Sequence, residues 1–241
     1  VAVADLFTGM YATVAILAAL RHAERTGEGQ QVDMALLDTQ VAMLANLGSN
    51  YLVSGKVPGR AGNAHQNIVP YQVFEVMAPD GAAPGTRDHL ILAVGNDGQF
   101  AKFCAVAGHP ELAKDPRYAL NADRVRHRAE LVPQLEAIMK TRTKSDWLAA
   151  LEAAKVPCGA INTLGEVFVD PQVQERGMVS TWAHPVQPGL KLVASPIKMS
   201  RTPVRQDLPP PMLGQHTTEV LSEVLGWTAE QQGPLRGKGV I

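Results

Sequence analysis

Cysteine is nearly missing. The 241 residues hold only Cys104 and Cys158, far apart and with no CxxC pairing. That excludes a disulfide scaffold and points to free thiols in a cytoplasmic protein. Seven histidines are scattered without a helix-spaced pair or a Cys/His cluster, so no metal site is expected. An excess of one charge sign is missing too. With a formal net charge of -1 the chain has no field to gather nucleic acid or anionic lipid. No G-x-G-x-x-G follows a strand, and there is no P-loop, G-x-S-x-G elbow or H-E-x-x-H. Metal, nucleotide and serine-hydrolase chemistry therefore have no motif to rest on.

What is present is an ordinary globular composition, 46% hydrophobic and 19% charged, long enough for one large domain or two small ones. The chain opens on VAVADLFTGMYATVAILAALRHAERTGEGQ, where an apolar run meets one carboxylate, Asp5. The run from Ala2 to Ala19 lacks a basic flank and a cleavage site, which argues against a signal peptide. Thr8, Gly9 and Tyr11 interrupt it short of the roughly 18 apolar residues that a membrane span needs. A buried helix and no membrane contact are predicted. Starting without Met on a core element, the chain is expected to be part of a longer one.

Val1–Ala4 reads as a strand end or buried turn, and Leu6–Thr26 as a helix stopped by Gly27. Gln31–Ala35 can be a short strand, and Asp38 can cap a helix to about Leu52. Residues 54–60, SGKVPGR, have linker composition. Tyr71–Met77 and His89–Val94 read as an antiparallel pair around the turn-rich PDGAAPGTRD. Helical spacing covers Gln99–Ala107, Asn121–Lys140 and Lys144–Ala154, with Ser145 as a cap. Short elements follow: a helix around Leu164–Val169, strands near Leu190–Ala194 and a closing helix at Thr217–Leu225. The pattern alone gives a mixed α/β protein with a conspicuous aspartate at a helix start. Asp is a common N-cap, worth ~1 kcal/mol, and that reading competes with any catalytic one.

Three stretches take the reading further. ADLFTGMYATVAILAALRHAERTGEGQQVDMALLD resembles the signature of the family III CoA-transferases, the CaiB/BaiF type that includes formyl-CoA transferase. RAGNAHQNIVPYQVFEVMAPDG with LILAVGNDGQFAKFCAVAGHPELAKDPRY, and VPCGAINTLGEVFVDPQV with PPMLGQHTTEVL, follow in family order. The resemblance implies an α/β family III fold, present in part: a Rossmann-like large domain without its N-terminal portion, plus a small α+β domain. Residues 1–55 would belong to the large domain, 56–155 would form the small one, and 156–241 would return to the large one. It also implies an interlocked homodimer, and a CoA thioester as substrate with no tightly bound cofactor.

In this family the matching aspartate is the nucleophile, so Asp5 would attack an acyl-CoA to give a mixed anhydride, then an aspartyl-CoA thioester. A carboxylate is ionised at neutral pH without a general base, which fits the absence of a triad. The partners implied are an acyl-CoA and a carboxylic acid acceptor. The loop 62–70, GNAHQNIVP, corresponds to a glycine-rich loop that covers the active site in formyl-CoA transferase. Here His65, Gln66, Asn67 and Ile68 stand at the matching positions, which implies a stiffer loop and an acceptor larger than formate or oxalate. The competing reading is that His65 and Asn67 only hold the loop's own backbone. Gly95, Asn96 and Asp97 have a family counterpart near the substrate, although Asp97 could simply cap a helix. Arg124, Arg126, His127 and Arg128 read as a solvated face, Cys104 as packing, Cys158 as a turn residue, and His216 as lying near a helix start. Two other functions stay open. One is an α-methylacyl-CoA racemase-like isomerase with Asp5 as a proton-transfer base, and the other an inactive fragment or binding module.

Overall fold

The computed structural model describes residues 1–205 and 207–241, in two compact units, Val1–Ile161 and Asn162–Ile241. The first unit begins with α1 (Val3–Thr26), which ends on Gly27 in the left-handed conformation, as expected. It starts earlier than expected, however. The Leu6 amide already donates to the Ala2 carbonyl (3.1 Å), so Val3 and Ala4 are helical and not a strand end.

No residue of α1 is buried, which corrects the expectation of a core helix. Leu6 and Met10 are each about three-fifths exposed. Nor do Thr8, Gly9 and Tyr11 interrupt the run in the sense expected. The helix is long and apolar enough to cross a membrane by length and composition. The physical reason is that Thr8 and Thr13 donate their hydroxyls to the carbonyls of Ala4 (2.7 Å) and Gly9 (2.9 Å), folding their polarity back into the helix.

The expected strand at 31–35 does not form, because among the described residues no strand pairs with it. The single helix expected to Leu52 is two, α2 (Leu36–Ala42) and α3 (Ala45–Ser54), with Ala45 at a φ of 45° after the break. Ala35, not Asp38, occupies the cap of α2. The segment 55–60 is without helix or strand, in line with its linker composition.

The core of this unit begins at Val69. β1 (Tyr71–Val76) and β2 (Asp88–Ala93) pair antiparallel from Tyr71↔Ala93 to Val76↔Asp88. Alternation puts Phe74, Val76, Leu90 and Leu92 on one buried face. β3 (Cys158–Ala160) joins the other edge of β2, so Cys158 is a strand residue and not a turn. Four helices accompany this sheet: α4 (Asp97–Ala107), α5 (Asn121–Arg126), α6 (Arg128–Met139) and α7 (Lys144–Ala153). The helix expected over 121–140 breaks at His127, and Thr143, not Ser145, caps α7. Phe100, Phe103 and Cys104 of α4, Leu131, Leu135 and Met139 of α6, and Trp147 and Leu151 of α7 fill the core at helical spacing. Trp147 also donates from Nε1 to the Met139 carbonyl at 2.8 Å.

The second unit holds α8 (Leu164–Val169), α9 (Pro171–Glu175), the hairpin β4 (Val179–Ala183) and β5 (Pro188–Val193), α10 (Thr217–Leu225) and α11 (Ala229–Gly237). α8 and α10 match their predicted spans, while β4, α9 and α11 had no sequence expectation. Gln232 of α11 is buried and donates to Ser222 Oγ and the Trp227 carbonyl, each at 3.1 Å, which ties α11 to α10.

Burial pushes the Cys104 thiol from its ordinary 9.0 up to about 12. The unfolded chain then loses this proton near pH 9 while the folded chain keeps it, so this group's contribution to stability falls as pH rises from 9 toward 12. Mass spectrometry after iodoacetamide treatment at pH 8 should find Cys104 unmodified in native protein and modified in urea. Modification of the native protein at the rate of a free thiol would contradict this burial.

Candidate active site

Asp5 stands in the first turn of α1, after Val3 and Ala4, where a negative charge faces the positive end of the helix. It is not the cap. That position belongs to Ala2, which makes no side-chain cap bond. The Asp5 side chain is exposed, and among the described residues it makes no hydrogen bond or ion pair. A carboxylate at the cap position would accept from the first N–H groups; at the third helical position Asp5 does not.

The 62–70 loop is the opposite case, with its polar groups engaged. The Asn67 amide donates to His65 Nδ1 (3.1 Å), and the His65 ring stacks on Tyr71 with centroids 5.4 Å apart. In the neutral ring the proton then belongs on Nε2, which is left as a donor. Asn67 exchanges side-chain amide bonds with Asn50 of α3 (3.2 and 3.4 Å), and Gln66 Nε2 reaches the Gly59 carbonyl at 3.3 Å. These side chains hold the loop and its neighbours, and His65 alone keeps a ring nitrogen uncommitted among these contacts.

The turn at 95–97 is held in the same way. Asn96, not Asp97, caps α4, accepting from the Gln99 amide at 2.9 Å, while the Gly95 amide donates to Gln99 Oε1 at 2.7 Å. Asp97 is freed for longer reach. Its Oδ1 accepts from the Asn121 amide (2.8 Å) and from Arg124 Nη2 (2.8 Å). Asn121 in turn donates from Nδ2 to the Asn67 carbonyl (2.8 Å) and accepts from the Val69 amide at 3.1 Å. The structure thus joins Asn67 to Asp97 through one residue, Asn121, by its side chain on one side and its backbone amide on the other, whereas no hydrogen bond links either to Asp5.

Arg124 is the residue that the sequence reading misplaced. It is fully buried, not part of a solvated face. Nε donates to the Val69 carbonyl (2.6 Å), Nη1 to the carbonyls of Tyr118 (2.8 Å) and Ala119 (3.1 Å), and the guanidinium lies 4.4 Å from the Phe100 ring centre. Arg128 is half-buried and donates to the carbonyls of His65 (2.9 Å) and Gln66 (2.8 Å). Arg126 is exposed, as expected. A signal was available: positions 124, 128, 131 and 135 follow the helical period of the buried leucines. Among the described residues no three His, Cys, Asp or Glu side chains group as metal ligands.

Comparison with known proteins gives this arrangement its class. Residues 1–217 match the model of CoA-transferase family III. A succinate–glutarate CoA-transferase of Agrobacterium fabrum is 49% identical over 227 residues, 93% of this chain and 54% of that protein. The human succinyl-CoA:glutarate CoA-transferase is 38% identical over 242 residues, 100% of this chain and 53% of that protein. A crystal structure of a CaiB/BaiF family protein from Brucella suis superposes with a TM-score of 0.72 at 44% identity, over 93% of this chain and 56% of that one. The chain belongs to the family III CoA-transferases. It spans about half the length of the curated relatives it matches.

Replacing Arg124 with Leu would strand the carbonyls of Val69, Tyr118 and Ala119, while Asp97, 46% exposed, would keep its bond from the Asn121 amide. Urea unfolding should show a loss of about 2–4 kcal/mol, set by the buried carbonyls left without donors at roughly 1–3 kcal/mol each. A loss under about 1 kcal/mol, the scale of an exposed pair, would show that the network is not holding this unit together.

Proposed function

We propose that the protein moves CoA between carboxylic acids, with Asp5 as the covalent nucleophile. One Asp5 oxygen attacks the thioester carbon of the donor, the C–S bond breaks, and CoA leaves as a thiolate, giving a mixed anhydride. The thiolate then attacks the Asp5 carbonyl carbon and expels the donor acid as a carboxylate, leaving an aspartyl-CoA thioester. The acceptor carboxylate attacks that thioester, and the thiolate returns to the acceptor's carbonyl, which regenerates Asp5. Each step swaps one acyl bond for another, so no water enters and no proton need move. The single observation that carries this reading is the exposed, uncapped and unpaired Asp5 carboxylate in a chain of this family. A nucleophile tied to its own helix would have to break that bond before it could attack.

The relatives' names, succinate and glutarate among them, support a dicarboxylate as acceptor. The uncommitted Nε2 of His65 suits the second carboxylate of such an acid. On this reading His65, Gln66 and Asn67 flank the acceptor, with Gly95, Asn96 and Asp97 behind them. Residues 1–55 carry the nucleophile, 56–155 the loop and most of its core, and 156–241 the remaining segment, whose start adds Val156 and β3 to that core. The reading also takes the working protein as a cytoplasmic homodimer, its partners an acyl-CoA and an acid, with no nucleic acid or membrane. The uncovered apolar side chains of α1 are then covered by protein.

The test uses the full-length protein with succinyl-CoA and glutarate. Hydroxylamine should trap an adduct that mass spectrometry maps to the Asp5 peptide, and both adduct and transfer should vanish in Asp5→Ala and Asp5→Asn. Undiminished transfer in Asp5→Ala would sink the assignment. Solvent deuterium entering the α-carbon without an acceptor would favour isomerisation instead.

A further inference from the structure

We propose that Asn121 and Arg128 are the positioning residues of the 62–70 loop, holding its backbone in the arrangement that admits a dicarboxylate and keeps water from the Asp5 thioester. The inference rests on the CoA-transfer reading above. Three successive loop carbonyls, those of His65, Gln66 and Asn67, are all taken by side chains 54–63 residues away in sequence. Arg128 Nη2 reaches the first two (2.9 and 2.8 Å) and Asn121 Nδ2 the third (2.8 Å). Asn121 Oδ1 also accepts from the Val69 amide (3.1 Å), so one side chain engages a carbonyl and an amide two residues apart, as a neighbouring strand would.

The loop's local bonds cannot replace these anchors. The Asn67 amide goes to His65 Nδ1 and the His65 amide to the Tyr71 carbonyl (2.8 Å), and neither satisfies the carbonyls of 65–67. Arg128 is committed to this task. It is half-buried, and among the described residues it makes no ion pair with any carboxylate. Its bonds to the loop are charge-assisted and therefore stronger than neutral ones. Asn50 of α3 holds the same loop through Asn67, so the loop is pinned from α3 as well as from the start of α5 and of α6. Stiffness that its non-glycine residues only favour is completed by these three helices.

The experiment compares full-length wild type with Arg128→Met, Arg128→Lys and Asn121→Asp, using succinyl-CoA with and without glutarate. Two quantities are read: amide exchange of the 62–70 peptide, and the ratio of thioester hydrolysis to CoA transfer with the glutarate KM. In Arg128→Met, exchange should quicken, and the hydrolysis ratio and KM should each rise about tenfold, the order expected for a lost charge-assisted bond. Arg128→Lys, which keeps a cationic donor, should recover most of both. Asn121→Asp, which keeps the acceptor for the Val69 amide but loses the donor, should move both in the direction of Arg128→Met, and it carries the test if Arg128→Met does not fold. Faster exchange with an unchanged ratio and KM would overturn the proposal while leaving CoA transfer intact. Unchanged exchange would overturn it as well. A wild type that transfers no CoA to any dicarboxylate would defeat the underlying reading too, and that is visible without any variant.

Discussion

The Arg124 guanidinium is out of water, and a buried cation costs several kcal/mol unless its N–H groups are paired. Its partners come from three places: Val69 at the end of the 62–70 loop, the Tyr118–Ala119 turn, and Asp97 at the start of α4. The cost is offset only when all three converge on one point. This requirement makes the 62–70 loop and the 95–97 turn neighbours, and Asn121, three residues before Arg124, then bridges them. Loop, turn and core are therefore one cooperative object, with the apolar cluster around Trp147 and Phe103 beside it.

The N-terminal helices obey a different physics. α1 contributes no buried side chain, and its threonine hydroxyls are spent on its own carbonyls, so from Leu6 to Leu20 it presents a largely apolar surface before its charged last turns. At its start, the one carboxylate has neither a cap to make nor a cation to meet. On the reading proposed above, this unengaged carboxylate is the nucleophile, because thioester exchange needs one and no proton shuttle. The contrast is informative: the polar groups of the loop are used to hold structure, and Asp5 is not.

Much of the architecture was legible because it is periodic. The β1–β2 pair followed from alternation, and the helices of the core from apolar spacing with glycine stops. Errors clustered where neighbouring residues compete for one role. Asn96 and Thr143 cap their helices although Asp97 and Ser145 are equally capable in isolation, and a single residue of register decides between them. Arg124 was missed because charge was read as solvent exposure, although its spacing from Leu131 and Leu135 places it on the buried stripe. β3 and β4 are too short for alternation to announce them, and each exists because another strand offers a free edge.

The amino-acid sequence by itself determined the family, the position of Asp5 at the start of an apolar helix, and the hydrophobic pattern of the sheet and its helices. These are properties of adjacent residues and their period. Only the tertiary structure decided that Asn50, Asn121, Arg124 and Arg128 hold the 62–70 loop, and that α1 is uncovered within this chain. The reason is that those hydrogen bonds join groups 17 to 63 residues apart in sequence, and no local pattern specifies which distant carbonyl a donor will meet.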